Sequence, residues 1–482
     1  MVCTRHLLLN IFLILLGIAA LSICFMQNGV LKSMKSLLES RFSPDPDIVF
    51  HTPNIKPFLS TNRSSCPRKD GAPTKRHVPQ SQLDGILKRR AEEYRQHQLR
   101  TRTSFNSLIV APANSPLQYP TTGFTVSPLT KSVIPGLALH AQKRKEYQVF
   151  LHVNGGVLSV ENNLDDDKVE GQGQSELNIS ATSLSRINYL LSRVTYTGTT
   201  YHIRSSDLVH FSFENYEATF PIMIRRPTVP VLYDPGTDVN SKVTITTKTF
   251  LRYVELQVLI DSIRKFYPKI KIIIADDSLK PKSVIGENIE QYIMPPAQGW
   301  FAGRNLAVSQ VSTKYFLWVD DDFLFLNKTR IESFVEIMEA IPELDIVGGA
   351  VSGNQYYFKF EYDEGDEQDG GCLKRIKNGY HQPLAGFDGC FLVDGVVNYF
   401  LARTDAVRRV GFDPFLKRVA HSEFFMDGLG QLMVASCQGL SIGHQKHRAR
   451  GKYYSYRTQK KSDGRNKLNH HFFKNYLKYI KY

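Results

Sequence analysis

Three hydrophobic patterns follow one another along the chain. From Leu7 to Phe25 the residues are apolar almost without interruption (LLLNIFLILLGIAALSICF), and Asn10 is the one strongly polar side chain. Nineteen helical residues just span a bilayer core. The run therefore predicts an uncleaved transmembrane anchor at 7–25 behind a cytoplasmic tail at 1–6. A cleaved signal peptide, cut near Ala20-Leu21-Ser22, is the competing reading. Arg5 before the run is balanced by Lys32, Lys35 and Arg41 after it, so flanking charge does not fix orientation. Residues 26–105 are rich in Pro, Ser, Lys and Arg, and read as a stem with one helix in LDGILKRRAEEYRQHQLRTR. Over 106–235 the runs YQVFLHVN, VTYTG, LVHFSF and TFPIMIRR alternate apolar with polar positions between Gly, Asn and Asp. That period predicts a small β-rich domain, read as a sandwich.

From about 240 to 482 the pattern changes to strand–helix alternation. VTITT is a strand, and the segment after it puts Tyr253, Leu256, Ile260 and Ile263 on one helical face. KIKIIIA, IEQYIM, KYFLWV and LDIVGGAV are further strands, with helices predicted at GWFAGRNLAVSQV and near Ile331–Ala340. Such alternation predicts an α/β fold with a mostly parallel sheet. Ligands of such sheets sit beyond the carboxyl ends of the strands. Two acidic clusters, Asp276-Asp277 and Asp320-Asp321-Asp322, fall at such ends.

The 482 residues suffice for two or three domains. The net charge of +14 would suggest nucleic acid, but its distribution argues against that partner. From Lys446 to Tyr482 there are 12 Lys or Arg against the single acid Asp463. The excess is local: a solvated tail, or a surface for an anionic membrane or substrate. No Cys-x-x-Cys pair occurs, which argues against a structural zinc site.

The acidic triplet carries the strongest chemical signal. It is wedged between Phe316-Leu317-Trp318-Val319 and Phe323, where unpaired charge is costly. A hard divalent cation shared with substrate phosphates would resolve that cost, with Asp320 and Asp322 spaced as a D-x-D pair. Thr247, Asp276, Asp277 and Asp321 would line the same crevice. Arg304, at a glycine-flanked helix start, could pair with a diphosphate. Glu423 and Asp427 lie four apart in a second acidic island, on one helical face. Either could serve as general base, and His444 could be a third metal ligand.

These residues lie in stretches with a family likeness. VTITTKTFLRY, IIIADDS, GWFAGRNLAVSQVSTKYFLWVDDDF, DGVVNYFLARTD and the segment from VGFDP to RVAHSEFFMDGLG closely resemble the β-1,4-N-acetylgalactosaminyltransferases of ganglioside-type and Sd(a)/Cad-type glycans. With LIVAPANSPLQYP the likeness covers most of 106–445. VSGN, VAHSEFF and IGHQ look more like the Sd(a)/Cad branch, whose acceptors end in sialylated galactose.

The resemblance implies a GT-A-like, Rossmann-type nucleotide-sugar domain in a Golgi membrane protein of type II, with its catalytic body lumenal. It implies UDP-GalNAc as donor, with manganese the expected ion. By position, Asp320 and Asp322 resemble the metal motif, Asp277 and Arg304 donor contacts, and Glu423 the base, with Asp427 and His421 as rivals. The expected reaction is inverting transfer to galactose of a sialylated glycoprotein or glycolipid. The alternative is a lectin-like or scaffold protein that kept the fold and lost catalysis. In an oxidising lumen, Cys390 is expected to pair with Cys437. Cys66 is expected to pair with Cys372, within one chain or across a homodimer.

Overall fold

The structure is a computed structural model that describes residues 71–101, 115–162, 164, 168–233, 236–417, 421–446, 453 and 461–482. The apolar run 7–25 and most of the 26–105 segment lie outside the described residues. Among the described residues no helix is long and apolar enough to cross a membrane.

The alternating runs of 115–230 form strands as their period dictates. Tyr147–Val153 alternates buried and outward positions along its length. A six-stranded sheet and a three-stranded sheet enclose one core that includes Leu151, Ile179, Tyr196, Phe211 and Phe220. The helix Leu184–Leu191 closes it with Ile187, Leu190 and Leu191, capped by the Ser183 hydroxyl. The strands that the alternation predicts are present and share one core.

The second half is built on β1 (Val243–Thr249), α1 (Tyr253–Phe266), β2 (Lys271–Asp276), β3 (Ile289–Ile293), α2 (Trp300–Ser309), β4 (Tyr315–Trp318), α3 (Ile331–Ala340), β5 (Ile346–Val351), β6 (Phe400–Arg403), α4 (His421–Asp427), β7 (Val434–His444), α5 (Lys461–Phe473) and β8 (Leu477–Lys481). The sheet runs β3-β2-β1-β4-β6-β5-β7 and continues through Cys390–Val393 to Gln382–Pro383. β3, β2, β1 and β4 are parallel. β6 is antiparallel to both β4 and β5, so the sheet is mixed rather than mostly parallel. α1 buries Leu256, Leu259, Ile260 and Ile263 against it. The expected bridge is present: Cys390 and Cys437 face each other in register and are disulfide-bonded.

Two expectations need correction. The end of the stem segment is part of the second, α/β half: Ala72 and Pro73 pair with Ile480 and Tyr479 of β8, and the Thr74 hydroxyl donates to the Leu477 carbonyl at 2.6 Å. In the helix Gln80–Thr101, buried Arg90 donates to the Phe472 carbonyl at 2.8 Å and lies over the Phe472 ring. The basic tail is likewise not simply solvated. β8 runs parallel to Gly370–Lys377, and His470, His471, Phe472, Leu477 and Ile480 are buried. The charge count concealed these few apolar and imidazole anchors. Cys372 is buried beside β8; its expected partner, Cys66, lies outside the described residues.

Candidate active site

β1, β2 and β4 deliver their carboxyl ends to one edge of the sheet because they are parallel neighbours. Thr249, Asp276-Asp277 and Asp320-Asp321-Asp322 thereby come to the same edge. The triplet occupies a turn between β4 and Phe323, where each carboxylate has a different environment.

Asp321 accepts a hydrogen bond from the Thr249 hydroxyl at 3.0 Å and an ion pair from Arg252 at 3.0 Å. Asp322 pairs with Arg252 at 2.8 Å, and its Oδ2 lies 3.4 Å from His444 Nε2. Asp320 Oδ1 accepts from the Trp318 indole at 3.0 Å, and its Oδ2 accepts from the Asn398 amide at 3.3 Å. Burial pushes both Asp320 and Asp321 up to about 7, against the pull of Arg304 and Arg252 respectively. Among the described residues no cation forms an ion pair with Asp320.

Arg304 is buried within α2. Its guanidinium sits 4.4 Å from the Trp318 ring centre and donates to Asn398 Oδ1 at 2.8 Å, while its Nε has no hydrogen-bond partner. Burial lowers its pKa to about 10, and the Asp320 charge opposes that fall. It remains a cation at neutral pH.

Asp320, His444 and Asn398 line a cavity of about 580 Å³ with Phe323, Ser352, Asn354 and Lys446 among its other walls. That volume lies in the usual range for a small-ligand site. Asp320 and His444 thus share one cavity, while Asp322 is not among its walls and reaches only His444, at 3.4 Å. Thr247 is fully buried in β1, and its hydroxyl has no partner.

Both oxygens of Asp276 are already engaged: Tyr253 and Gln291 donate to its Oδ2 at 2.6 and 2.9 Å, and the Ser278 backbone donates to its Oδ1 at 2.9 Å. Asp277 pairs with Lys248 at 2.5 Å and accepts from the Gly299 backbone at 2.8 Å. Gly299 holds a φ of 97°, the left-handed region that favours glycine. A Cβ there would also sit 2.9 Å from Lys417 Cα. The carboxylate of Asp277 thus ties the α2 entry loop to β2.

The second acidic island lies elsewhere. Neither Glu423 nor Asp427 lines the cavity. Glu423 is fully buried in α4, and its Oε1 is shared by Lys467 at 3.1 Å, His471 at 3.1 Å and the Tyr482 hydroxyl at 2.9 Å. Burial alone would raise its pKa; His471 and Lys467 outweigh burial and hold it at about 2. Glu423 Oε2 has no partner. Asp427 has none to spare: His470 and Asn475 reach Oδ1 at 3.1 and 2.9 Å, and Lys474 reaches Oδ2 at 2.7 Å. His421 hydrogen-bonds through Nε2 to the Val396 carbonyl. Burial lowers its pKa to about 3, leaving it neutral.

The pattern reading missed Lys248, Arg252, Asn398 and the tail groups Lys467, His471 and Tyr482. Arg252 and Asn398 left a trace: each is a polar residue inside an apolar run, TFLRY and VVNYF, where burial demands a partner. The tail groups left none, because their partners lie about 50 residues away.

Comparison with known proteins bears on this geometry. The sequence model of Glycosyl transferase family 2 matches residues 244–409, which span the sheet edge and the triplet. Beta-1,4 N-acetylgalactosaminyltransferase 2 of Mus musculus is 47% identical over 368 residues, covering 76% of this chain and 71% of its own. Beta-1,4 N-acetylgalactosaminyltransferase 1 of Homo sapiens is 48% identical over 368 residues, covering 74% and 69%. A crystal structure of S. aureus TarS 1-349 in complex with UDP-GlcNAc is 15% identical, covers 44% of this chain and 60% of its own, and has a TM-score of 0.32, too low to argue from.

Proposed function

Because this chain belongs to the β-1,4-N-acetylgalactosaminyltransferase family, we propose that its cavity binds UDP-GalNAc and that the protein transfers GalNAc in β-1,4 linkage to a galactose acceptor. The observation that carries this reading is a cavity beyond β4 lined by Asp320 and His444, with Asp322 3.4 Å from His444 and a buried guanidinium over the Trp318 ring. Identities of 47% and 48% to two different relatives assign no branch. A sialylated acceptor therefore rests on the sequence likeness.

The residues fit a divalent cation. Two carboxylates and an imidazole are suitable hard and borderline donors, and Asp320, whose pKa burial raises to about 7, would be held ionised by a cation beside it. Among the described residues no three such groups already converge at cation distance, so donor phosphates would have to complete the shell, as is usual for magnesium-like sites. Asp320, Asp322 and His444 would hold the ion, with manganese our expectation. When bound, it would offset the charge of the departing diphosphate. Arg304 adds fixed positive charge near the same place. Asp277 with Gly299 shapes the approach to α2. Thr247 is fully buried and is not a wall of the cavity, so its expected donor contact rests on the sequence reading.

Of the two carboxylates considered as base, Glu423 keeps one oxygen without a partner and Asp427 keeps none. Glu423 as base rests on the sequence likeness, since a carboxylate held at about 2 is a weak proton acceptor. It is sealed by β8 and α5, so an acceptor hydroxyl reaches it only if those elements lift. An anchored Golgi location, with this body lumenal, belongs to the same proposal.

The test is incubation of the purified protein with UDP-GalNAc and manganese across sialylated and non-sialylated galactosides. Product with a new β-1,4 linkage is expected. Neither transfer nor donor hydrolysis with any acceptor would favour a sugar-binding protein without turnover.

A further inference from the structure

We propose that Asn398 is a positioning residue for the transfer reaction: its side-chain amide ties the buried Arg304 to Asp320 and fixes the carboxylate that faces the donor diphosphate. The proposal rests on the reading of the cavity given above.

Four side chains form a closed circuit. Arg304 donates to Asn398 Oδ1 at 2.8 Å, and Asn398 Nδ2 donates to Asp320 Oδ2 at 3.3 Å. The other oxygen of Asp320 accepts from Trp318 Nε1 at 3.0 Å, and the Trp318 ring lies under the Arg304 guanidinium. The amide can take only one orientation. A guanidinium offers donors alone and an ionised carboxylate offers acceptors alone, so Oδ1 must face Arg304 and Nδ2 must face Asp320. Exchanging the two atoms would lose both bonds.

Both oxygens of Asp320 are therefore clamped, one from β4 and one from the segment entering β6. Each clamp leaves an oxygen with further acceptor capacity, and Asp320 lines the cavity together with Asn398. A carboxylate held at both oxygens cannot rotate away when a cation or a diphosphate arrives, so less ordering is lost on binding. Arg304 gains by the same arrangement. Asn398 accepts from the buried cation and leaves the aspartate charge free for the ligand. An aspartate in place of Asn398 would instead neutralise Arg304 and repel Asp320.

The experiment compares the unsubstituted protein, Asn398→Ala, Asn398→Ser and Asp320→Asn. UDP binding is measured by calorimetry over a series of manganese concentrations, and donor KM and kcat are measured over the same series. Orienting partners of metal-binding side chains typically change affinity by roughly tenfold to a hundredfold. Asn398→Ala is expected to weaken manganese-supported UDP binding by that factor and to raise the manganese requirement, with saturating manganese restoring most of kcat.

A folded Asn398→Ala protein with an unchanged manganese requirement would overturn the proposal. So would a loss of kcat that manganese cannot restore, because that pattern belongs to a merely structural residue. If Asn398→Ala does not fold, Asn398→Ser, which can keep one of the two bonds, carries the same comparison. The Asp320→Asn arm separates the two levels. Intact manganese-supported binding there would sink the cavity reading itself. Binding lost in Asp320→Asn and kept in Asn398→Ala would sink the Asn398 role alone.

Discussion

Replacing Arg252 by alanine removes a side chain that pairs with two of the three aspartates. Its guanidinium reaches Asp321 at 3.0 Å and Asp322 at 2.8 Å, and all three side chains are at most 8% exposed. Breaking a buried pair by deleting one partner typically costs about 3–5 kcal/mol, since the remaining charge is left without compensation. The carboxylates can escape part of that cost by taking up protons. Asp321 already titrates near 7 with Arg252 present, against 3.8 for an ordinary aspartate. Its folded form therefore binds more protons than the unfolded chain between those values, and its contribution to stability falls as pH rises through that window.

Without Arg252 the folded pKa moves higher, so the window extends upward. One pH unit is worth about 1.4 kcal/mol per proton. The loss in Arg252→Ala is accordingly expected at about 3 kcal/mol at pH 6 and about 4 kcal/mol at pH 8. Urea denaturation of both proteins at the two pH values, without added metal, measures the difference. A loss under about 1 kcal/mol, or one equal at both pH values, would refute the argument, because a buried and uncompensated carboxylate pair must respond to protons.

Three further outcomes follow from the same geometry. Asp322→Asn should abolish manganese-dependent UDP binding in calorimetry while the protein stays folded, since an amide is a poor substitute for a carboxylate beside a divalent ion; unchanged affinity would remove Asp322 from the site. Glu423→Gln should stop transfer and leave UDP binding nearly intact. It should also cost about 3–5 kcal/mol in denaturation, because Lys467 loses its buried partner; surviving transfer would move the base elsewhere. Replacing Cys390 and Cys437 together by alanine opens a loop of 47 residues, for which loop-closure entropy gives about 4 kcal/mol, read as a lowered urea midpoint; an unchanged midpoint would show that the bridge contributes little.

The elements that patterning resolved are those whose partners are local or periodic. The alternation of Tyr147–Val153 and the 3.6-residue face of α1 each place apolar atoms on one side, and any fold must bury that side. The acidic triplet was legible because three carboxylates inside an apolar run are costly without a partner, whatever that partner is. The Cys390–Cys437 pairing came from compartment and position along the chain, and β-strand register brought it about.

Which partner each carboxylate takes was decided by tertiary structure alone. Arg252 and Asp322 are separated by 70 residues, and Arg304 and Asn398 by 94; no window of sequence contains both. The carboxyl-terminal tail shows this most clearly. Its charge count suggested a solvated extension, yet a few buried atoms of His470, His471, Leu477 and Ile480 fix it against the body and seal Glu423. A net charge sums over every residue of a segment, whereas docking depends on the few side chains that a distant surface can bury. That surface exists only once the sheet has formed.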